Sequence, residues 1–173
     1  MNGVTIELKA QCPETVRIRA ILRSRRAVFK GRDRQIDTYF CVPSGRLKLR
    51  EGRIENALIY YSRADQKNSK RCAAFLYKCR GKKALKKILE TACGVLTVVN
   101  KTREIYFIRN VKFHVDRVKN LGSFVEIEAF SGKGRKGTAD LRKQVRFYQK
   151  LLGIKKKDLI ADSYSDQILR RSR

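Results

Sequence analysis

Only one histidine, His114, occurs in this chain of 173 residues, and its five cysteines (Cys12, Cys41, Cys72, Cys79 and Cys93) include no Cys-x-x-Cys pair. Zinc sites gather such residues at short spacing, so a zinc site is not expected. The odd cysteine set makes no disulfide framework, which suits a reduced, intracellular chain in the cytoplasm or nucleus. No apolar run approaches the length that spans a bilayer, and the first ten residues, which already hold Glu7 and Lys9, do not read as a secretory leader. There is no repeat at a solenoid period and no room for a second domain, so residues 1–173 are expected to form one domain. A domain of this size buries roughly 70% of its unfolded surface.

Acidic residues are also scarce. Sixteen Asp and Glu stand against 42 Lys and Arg, a formal charge of +26. Such an excess implies an anionic partner: phosphate esters, nucleic acid or an anionic membrane, with nucleic acid favoured by composition. The charge runs through the whole chain and includes strand positions, so some of it must line an interior.

What is abundant is alternation. On a strand, successive side chains point to opposite faces. In VTIELK, Val4, Ile6 and Leu8 share one face while Thr5, Glu7 and Lys9 share the other. In GRLKLRE, Arg46, Lys48 and Arg50 oppose Leu47 and Leu49; in LIYYSR, Arg63 follows Tyr61 and Ile59; in KTREIYF, Lys101 and Arg103 lie together. VKFHVDR sets Lys112, His114 and Asp116 against Phe113 and Val115, and FVEIEAF sets Glu126 and Glu128 against Val125 and Ile127. The two signs of charge fall in segregated groups along the chain. Polar faces of this kind predict a charged tunnel.

The segments QIDTYFCV, RLKLREG, NALIYYSRAD and CAAFLYKCR follow the first strand at short spacing, with turn residues Pro43, Ser44 and Gly45, as in a meander. GVLTVVNKTREIYFIRN, VKFHVDRV and FVEIEAF come later, with a turn at residues 120–122. Helical stripes fall on ETVRIRAILRSRR after Pro13, KKALKKILETA, TADLRKQVRFYQKLLG and DSYSDQILRR. About eight strands and about four helices result, an α+β fold whose antiparallel sheet closes, or nearly closes, into an eight-stranded barrel with flanking helices.

An empty tunnel lined by Lys and Arg would be self-repulsive, and an oligophosphate in the lumen would relieve that. Carboxylates beside a polyanion need a divalent cation between them, and Mg²⁺ takes one or two carboxylates together with phosphate and water. Basic strands for phosphates and acidic strands for a metal make a phosphoryl-transfer site.

Taken in order, TIELK, QIDTYF, GRLKLRE, YYSRAD, KTREIYF, HVDRVKNLGSFVEIE, YQKLLG and DSYSD resemble the CYTH group of triphosphate tunnel enzymes, which includes class IV adenylyl cyclases and thiamine triphosphatases. The resemblance spans nearly the whole chain, and its most specific stretch runs from Asp116 through the Leu-Gly-Ser-Phe turn to Glu126. It implies that Lys9, Lys48, Arg50, Arg63, Lys101 and Arg103, with Arg46, hold a triphosphate. It implies that Glu7, Asp116, Glu126 and Glu128 hold Mg²⁺ or Mn²⁺, and that Glu7, Lys9 and Arg63 carry catalysis. The activity implied is hydrolysis of thiamine triphosphate, a nucleoside triphosphate or tripolyphosphate. Its competitors are a cyclase releasing cAMP and pyrophosphate from ATP, and a binding module without turnover. The family's likeness to RNA triphosphatases of mRNA capping extends only to tunnel architecture.

One departure stands out: the family opens its first strand with glutamate where this chain has Thr5, which can bond a phosphate or a metal-bound water but carries no charge. Glu128 is the residue placed to compensate. A single histidine more often supports structure than acts as a base, which leaves His114 outside the catalytic set. Cys72 and Cys79 read as small core residues. Lys82, Lys83, Lys86 and Lys87, Arg135 with Lys136, and the run 155–157 form basic surfaces, either solvated or gripping RNA. The expected partners are thus a triphosphate small molecule and RNA through surface Lys and Arg, with no membrane, in a monomer or homodimer.

Overall fold

The structure, a computed structural model, describes residues 5–62, 70–79, 82–131 and 137–171. In chain order the elements are β1 (Thr5–Gln11), α1 (Thr15–Ser24), β2 (Val28–Phe40), β3 (Arg46–Glu51), β4 (Ala57–Ser62), β5 (Lys70–Lys78), α2 (Lys82–Cys93), β6 (Val95–Ile108), β7 (Val111–Val118), β8 (Gly122–Phe130), α3 (Thr138–Leu151) and α4 (Tyr164–Arg171). All strand pairs are antiparallel, and the order β1-β5-β4-β3-β2-β6-β7-β8 returns to β1 as a closed barrel. The seam between β1 and β8 is long, running from Thr5–Phe130 to Gln11–Phe124. The other seam of β1, with β5, is short: Thr5–Cys72, Ile6–Arg71 and Glu7–Lys70.

The main apolar core lies outside this barrel. Ile6 and Leu8 of β1, Phe113 and Val115 of β7, and Val125 and Ile127 of β8 point outward and pack on Ile18 and Leu22 of α1 and Leu141 and Val145 of α3. Full burial of each such side chain is worth about 1.5–3 kcal/mol, so the wall and its helices hold together without any apolar lumen. A smaller cluster of Phe40 and Leu49 with Leu85 and Leu89 seats α2 on the outer side of β2 and β3. Inward apolar residues gather at one end, where Tyr39, Ile59, Tyr61, Val99, Val118 and Phe124 meet Tyr164 of α4, while Ile105 and Phe107 of β6 share the inward face with His114 and Lys112 toward the other. Between these ends the inward face is polar, since the register sets Asp37 beside Arg50, Arg103 beside Asp116 and Lys9 beside Glu126.

Two local expectations change. β2 starts at Val28, seven residues before the apolar QIDTYF segment, because VFKGRDRQ pairs with the long β6 from Phe107 downward although neither of its faces is apolar. Pro13 lies outside α1, whose N-cap is Glu14. Of the cysteines, Cys12, Cys41, Cys79 and Cys93 are free thiols, and Cys79 is buried against the outer core as expected; the side chain of Cys72 lies outside the described residues. Among the described residues no helix is long and apolar enough to cross a membrane.

Candidate active site

The lumen is organised around Asp37, which is completely buried on β2. Its carboxylate accepts from Arg50 Nε and Nη2, both at 2.8 Å, from Lys48 Nζ at 3.1 Å and from Lys101 Nζ at 2.7 Å. Strand register explains the convergence: Asp37 pairs directly with Arg50 on β3, and Lys48 and Lys101 stand two residues away on the same face. Burial pushes the Asp37 carboxyl up, but Arg50, Lys101 and Lys48 together outweigh it and hold the group well below the usual carboxylate range. Burial and the neighbouring Arg50 press the Lys101 ammonium well below the ordinary lysine value, against the pull of Asp37.

A second group forms on β6, β7 and β8. Arg103 and Asp116 are cross-strand partners joined by a fork, Nε to Oδ1 at 2.7 Å and Nη2 to Oδ2 at 2.5 Å. Tyr164 from α4 donates to the same Oδ2 at 2.9 Å. Arg103 Nη2 also reaches Glu126 at 2.8 Å, Lys9 Nζ reaches the other Glu126 oxygen at 3.0 Å, and His114 Nδ1 lies 3.0 Å from Glu126. Lys9 sits 3.9 Å above the Tyr164 ring, a desolvated cation–π contact. Burial, then the cations Arg103 and Lys112, lower the His114 pKa to about 4, so the ring is neutral near pH 7. Nδ1–H then donates to Glu126, and Nε2 is buried with no partner among the described residues.

Glu55 ties the two groups together, accepting from Arg50 Nη1 at 2.8 Å, Gln35 Nε2 at 3.0 Å and Lys112. Asp33 secures the loop that carries Glu55, since its carboxylate accepts the backbone N–H groups of Arg53, Ile54 and Glu55. This close approach requires Gly52, where a Cβ would meet Asp33 Oδ2 at 2.5 Å and the Glu55 carbonyl at 2.8 Å.

Most of the expected site residues thus meet in one lumen. Glu7 and Lys9 on β1 stand directly opposite Glu128 and Glu126 on β8; Lys48 and Arg50 come from β3, Lys101 and Arg103 from β6, and Asp116 from β7. Arg46 instead lies at the α4 end, bonded to Asp166 at 2.9 Å. Arg63 lies outside the described residues, as do Arg135 and Lys136. Lys86, expected on a basic surface either solvated or gripping RNA, bonds Glu51 at 2.8 Å.

The lumen mixes the two signs more closely than expected, and ion pairs offset the mutual repulsion of its cations. Among the described residues its network sets six cations (Lys9, Lys48, Arg50, Lys101, Arg103, Lys112) against seven carboxylates (Glu7, Asp33, Asp37, Glu55, Asp116, Glu126, Glu128). The reason is that barrel closure interleaves strands remote in sequence. Asp33, Asp37, Glu55, Lys112 and Tyr164 were not among the expected site residues. The period-two series Asp33, Gln35, Asp37, Tyr39 was the available signal for the first two.

The donor chemistry suits a hard divalent cation at one place. Glu7 faces Glu128 across the β1–β8 pair, and burial together with Glu7 and Glu126 raises the Glu128 pKa despite Lys112. Such a carboxylate pair, with Glu126 next along β8, is an oxygen-rich wall of the kind Mg²⁺ or Mn²⁺ takes. Among the described residues no three His, Cys, Asp or Glu side chains form a ready-made metal cage, so phosphate and water would complete the coordination. Asp116 is engaged by Arg103 and Tyr164.

Comparison with known proteins agrees with this architecture. The family model for the CYTH domain matches residues 4–164. The structure of the PH1012 protein of Pyrococcus horikoshii OT3 superposes with a TM-score of 0.78 at 25% identity, covering 94% of this chain and 98% of that one. A Vibrio parahaemolyticus protein provisionally assigned as an adenylate cyclase gives 0.76 at 17% identity, covering 98% and 99%. The Hippeastrum protein HpAC1, described as having a dominant triphosphatase activity, gives 0.61 at 12% identity, covering 98% and 95%. No curated protein matches the sequence.

Proposed function

The chain belongs to the CYTH domain family, and from that premise we propose that it hydrolyses a triphosphate compound in the barrel lumen with the help of Mg²⁺ or Mn²⁺. The observation that carries this reading is the placement of an acidic wall, Glu7, Glu126 and Glu128, in the same lumen as the cations Lys48, Arg50, Lys101 and Arg103. A triphosphate beside these carboxylates is best accommodated together with a cation, and the Glu7–Glu128 pair is the place that would hold one.

In this reading Arg50, Lys48 and Lys101 exchange part of their hold on Asp37 for phosphate oxygens, and Arg103, fixed by Asp116, presents its guanidinium in one orientation. Lys9, held between Glu126 and the Tyr164 ring, positions the reacting phosphoryl group near the acidic wall. The bound cation supplies neutralisation of phosphate charge and polarisation of a phosphoryl oxygen. Arg63 is assigned to the substrate on the family pattern alone. Thiamine triphosphate, nucleoside triphosphates and tripolyphosphate all present the same three phosphates.

A second reading, binding without turnover, is favoured by Thr5. It shares the inward face with Glu7 but adds no carboxylate to the wall. Phosphorus NMR with ATP, tripolyphosphate and thiamine triphosphate, each with Mg²⁺ or Mn²⁺, separates these. Orthophosphate released by the wild type and not by Glu126→Ala supports the hydrolase. Pyrophosphate with a cyclic nucleotide replaces it with a cyclase, and shifted phosphate signals without product leave a binding protein.

A further inference from the structure

The lumen does not account for the chain's charge. Among the described residues its network holds six of the 42 Lys and Arg and seven of the 16 Asp and Glu, so most of the +26 excess belongs elsewhere. One place concentrates it around an aromatic ring. A cavity of about 600 Å³ opens on the outside of the barrel between the end of α1, the β6–β7 turn and α3. Arg25, Arg109 and Lys143 line it together with Phe147 and Tyr148, and its lining includes no carboxylate.

The cavity is held in shape from below. Gln144 and Asn110 exchange hydrogen bonds at 2.9 and 3.1 Å, and Asn110 also donates to the Phe130 carbonyl at 2.9 Å, which ties the β6–β7 turn to α3 and β8. Tyr148 packs edge-on against buried Phe113, with ring centres 4.9 Å apart, and Phe147 packs edge-on against Tyr148 at 5.1 Å. Phe147 is nonetheless 57% exposed, and it stands one helical turn from Lys143 on the same face. Arg109 occupies the left-handed region, φ 52°, where glycine or asparagine fits with less strain. A cation is thus carried at a turn position poorly suited to arginine.

We infer that this cleft binds a single strand of nucleic acid, with Arg25, Arg109 and Lys143 on successive phosphates and a base stacked on Phe147. Cations that follow a backbone beside an exposed ring are the two components of sequence-tolerant single-strand binding. An acidic peptide would use the cations but gains nothing specific from the ring face, and a membrane surface needs a broad apolar or basic plane and not a cleft. The site lies outside the lumen and does not depend on the proposed hydrolysis.

The test is fluorescence anisotropy of the full chain with a 3′-labelled twelve-nucleotide oligouridylate, and its thymidylate counterpart, both with 5′-hydroxyl ends so that no triphosphate enters the lumen. Phe147→Ala should weaken binding about tenfold, and Phe147→Tyr should restore it. Arg109→Asn, which keeps the left-handed turn, and Lys143→Gln should each lower the slope of log affinity against log salt by about one. Lys156→Gln, on the loop whose Leu159 pairs with Ala10 toward the far end of β1, should change affinity less than twofold. Equal binding by wild type and Phe147→Ala, a Lys156→Gln effect as large as that of Lys143→Gln, or binding only to phosphatidylserine vesicles or polyglutamate would each overturn the inference. Phosphate release by Phe147→Ala, measured alongside, keeps this outcome separate from that of the lumen.

Discussion

Glu7 and Glu128 face each other directly across the β1–β8 pair, two acids opposed on the inward face of a barrel. Like charges in this position oppose folding, and burial adds to the cost, since it is the first cause of the raised Glu128 pKa, with Glu7 and Glu126 adding to it. The opposition of the two carboxylates is itself unfavourable, and a cation between them would relieve it.

Glu128→Gln should therefore stabilise the metal-free chain by roughly 0.5–1 kcal/mol and lower metal-dependent turnover by at least about 10–100-fold. Thermal melts without metal and phosphate release with Mg²⁺ check the two parts. A variant that melts lower than wild type without metal would remove the repulsion, and one with full turnover would remove the metal assignment.

Asp37→Asn takes the carboxylate from beneath Arg50, Lys48 and Lys101. Breaking a buried ion network on one side costs about 3–5 kcal/mol. A polyanion that binds the same cations should return part of that loss, because a ligand of the folded state stabilises it by mass action. The rise in Tm on adding tripolyphosphate is thus expected to be larger in the variant than in the wild type. Equal rises would mean that these cations do not meet the phosphates.

His114 makes stability depend on pH in a defined direction. Its folded pKa, lowered to about 4, lies below the usual 6.5. As pH falls from 6.5 toward 4 the unfolded chain takes up a proton that the folded chain refuses, so this contribution is present above pH 6.5 and is lost across that window, by at most about 3 kcal/mol. Denaturant titrations at pH 7.5, 6 and 5 should show a smaller decline for His114→Gln than for wild type. Parallel declines would place the acid sensitivity elsewhere.

Gly52→Ala should lower Tm by about 4–8 °C, because a Cβ there meets the Asp33 carboxylate at 2.5 Å and the loop carrying Glu55 must shift. Phosphate release should fall as well, since Glu55 links Arg50 to Lys112. An unchanged Tm would show that the loop relaxes freely.

Thr5→Glu adds a carboxylate beside Glu7 and opposite Phe130. If the acidic wall is short of one charge, metal-dependent turnover should rise about tenfold or more and the metal-free Tm should fall. Phosphate release measured against Mg²⁺ concentration checks this, and no gain in rate would show that the threonine hydroxyl suffices.

The barrel and the greater part of its polar lining were legible because alternation is a local property. Ile6–Glu7–Leu8–Lys9 and Val125–Glu126–Ile127–Glu128 announce one apolar and one charged face each, whatever lies beside them. Eight strands and four helices follow from such patterns, and the apolar outer faces call for the covering helices α1 and α3. Asp33 and Asp37 were not legible as site residues, since the strand leading to them has polar residues on both faces, Arg32 and Arg34 outside and Asp33 and Gln35 inside.

The sequence by itself thus determined the faces: which side chains share the lumen, and that the lumen is charged. What only the tertiary structure decided was who meets whom. Closure of β1 on β8 sets Glu7 against Glu128, the β2–β3 register puts Arg50 on Asp37, and the last helix returns Tyr164 to Asp116 across 48 positions of chain. These pairings join residues far apart in sequence, and they depend on register and barrel closure, which periodicity along one strand does not encode.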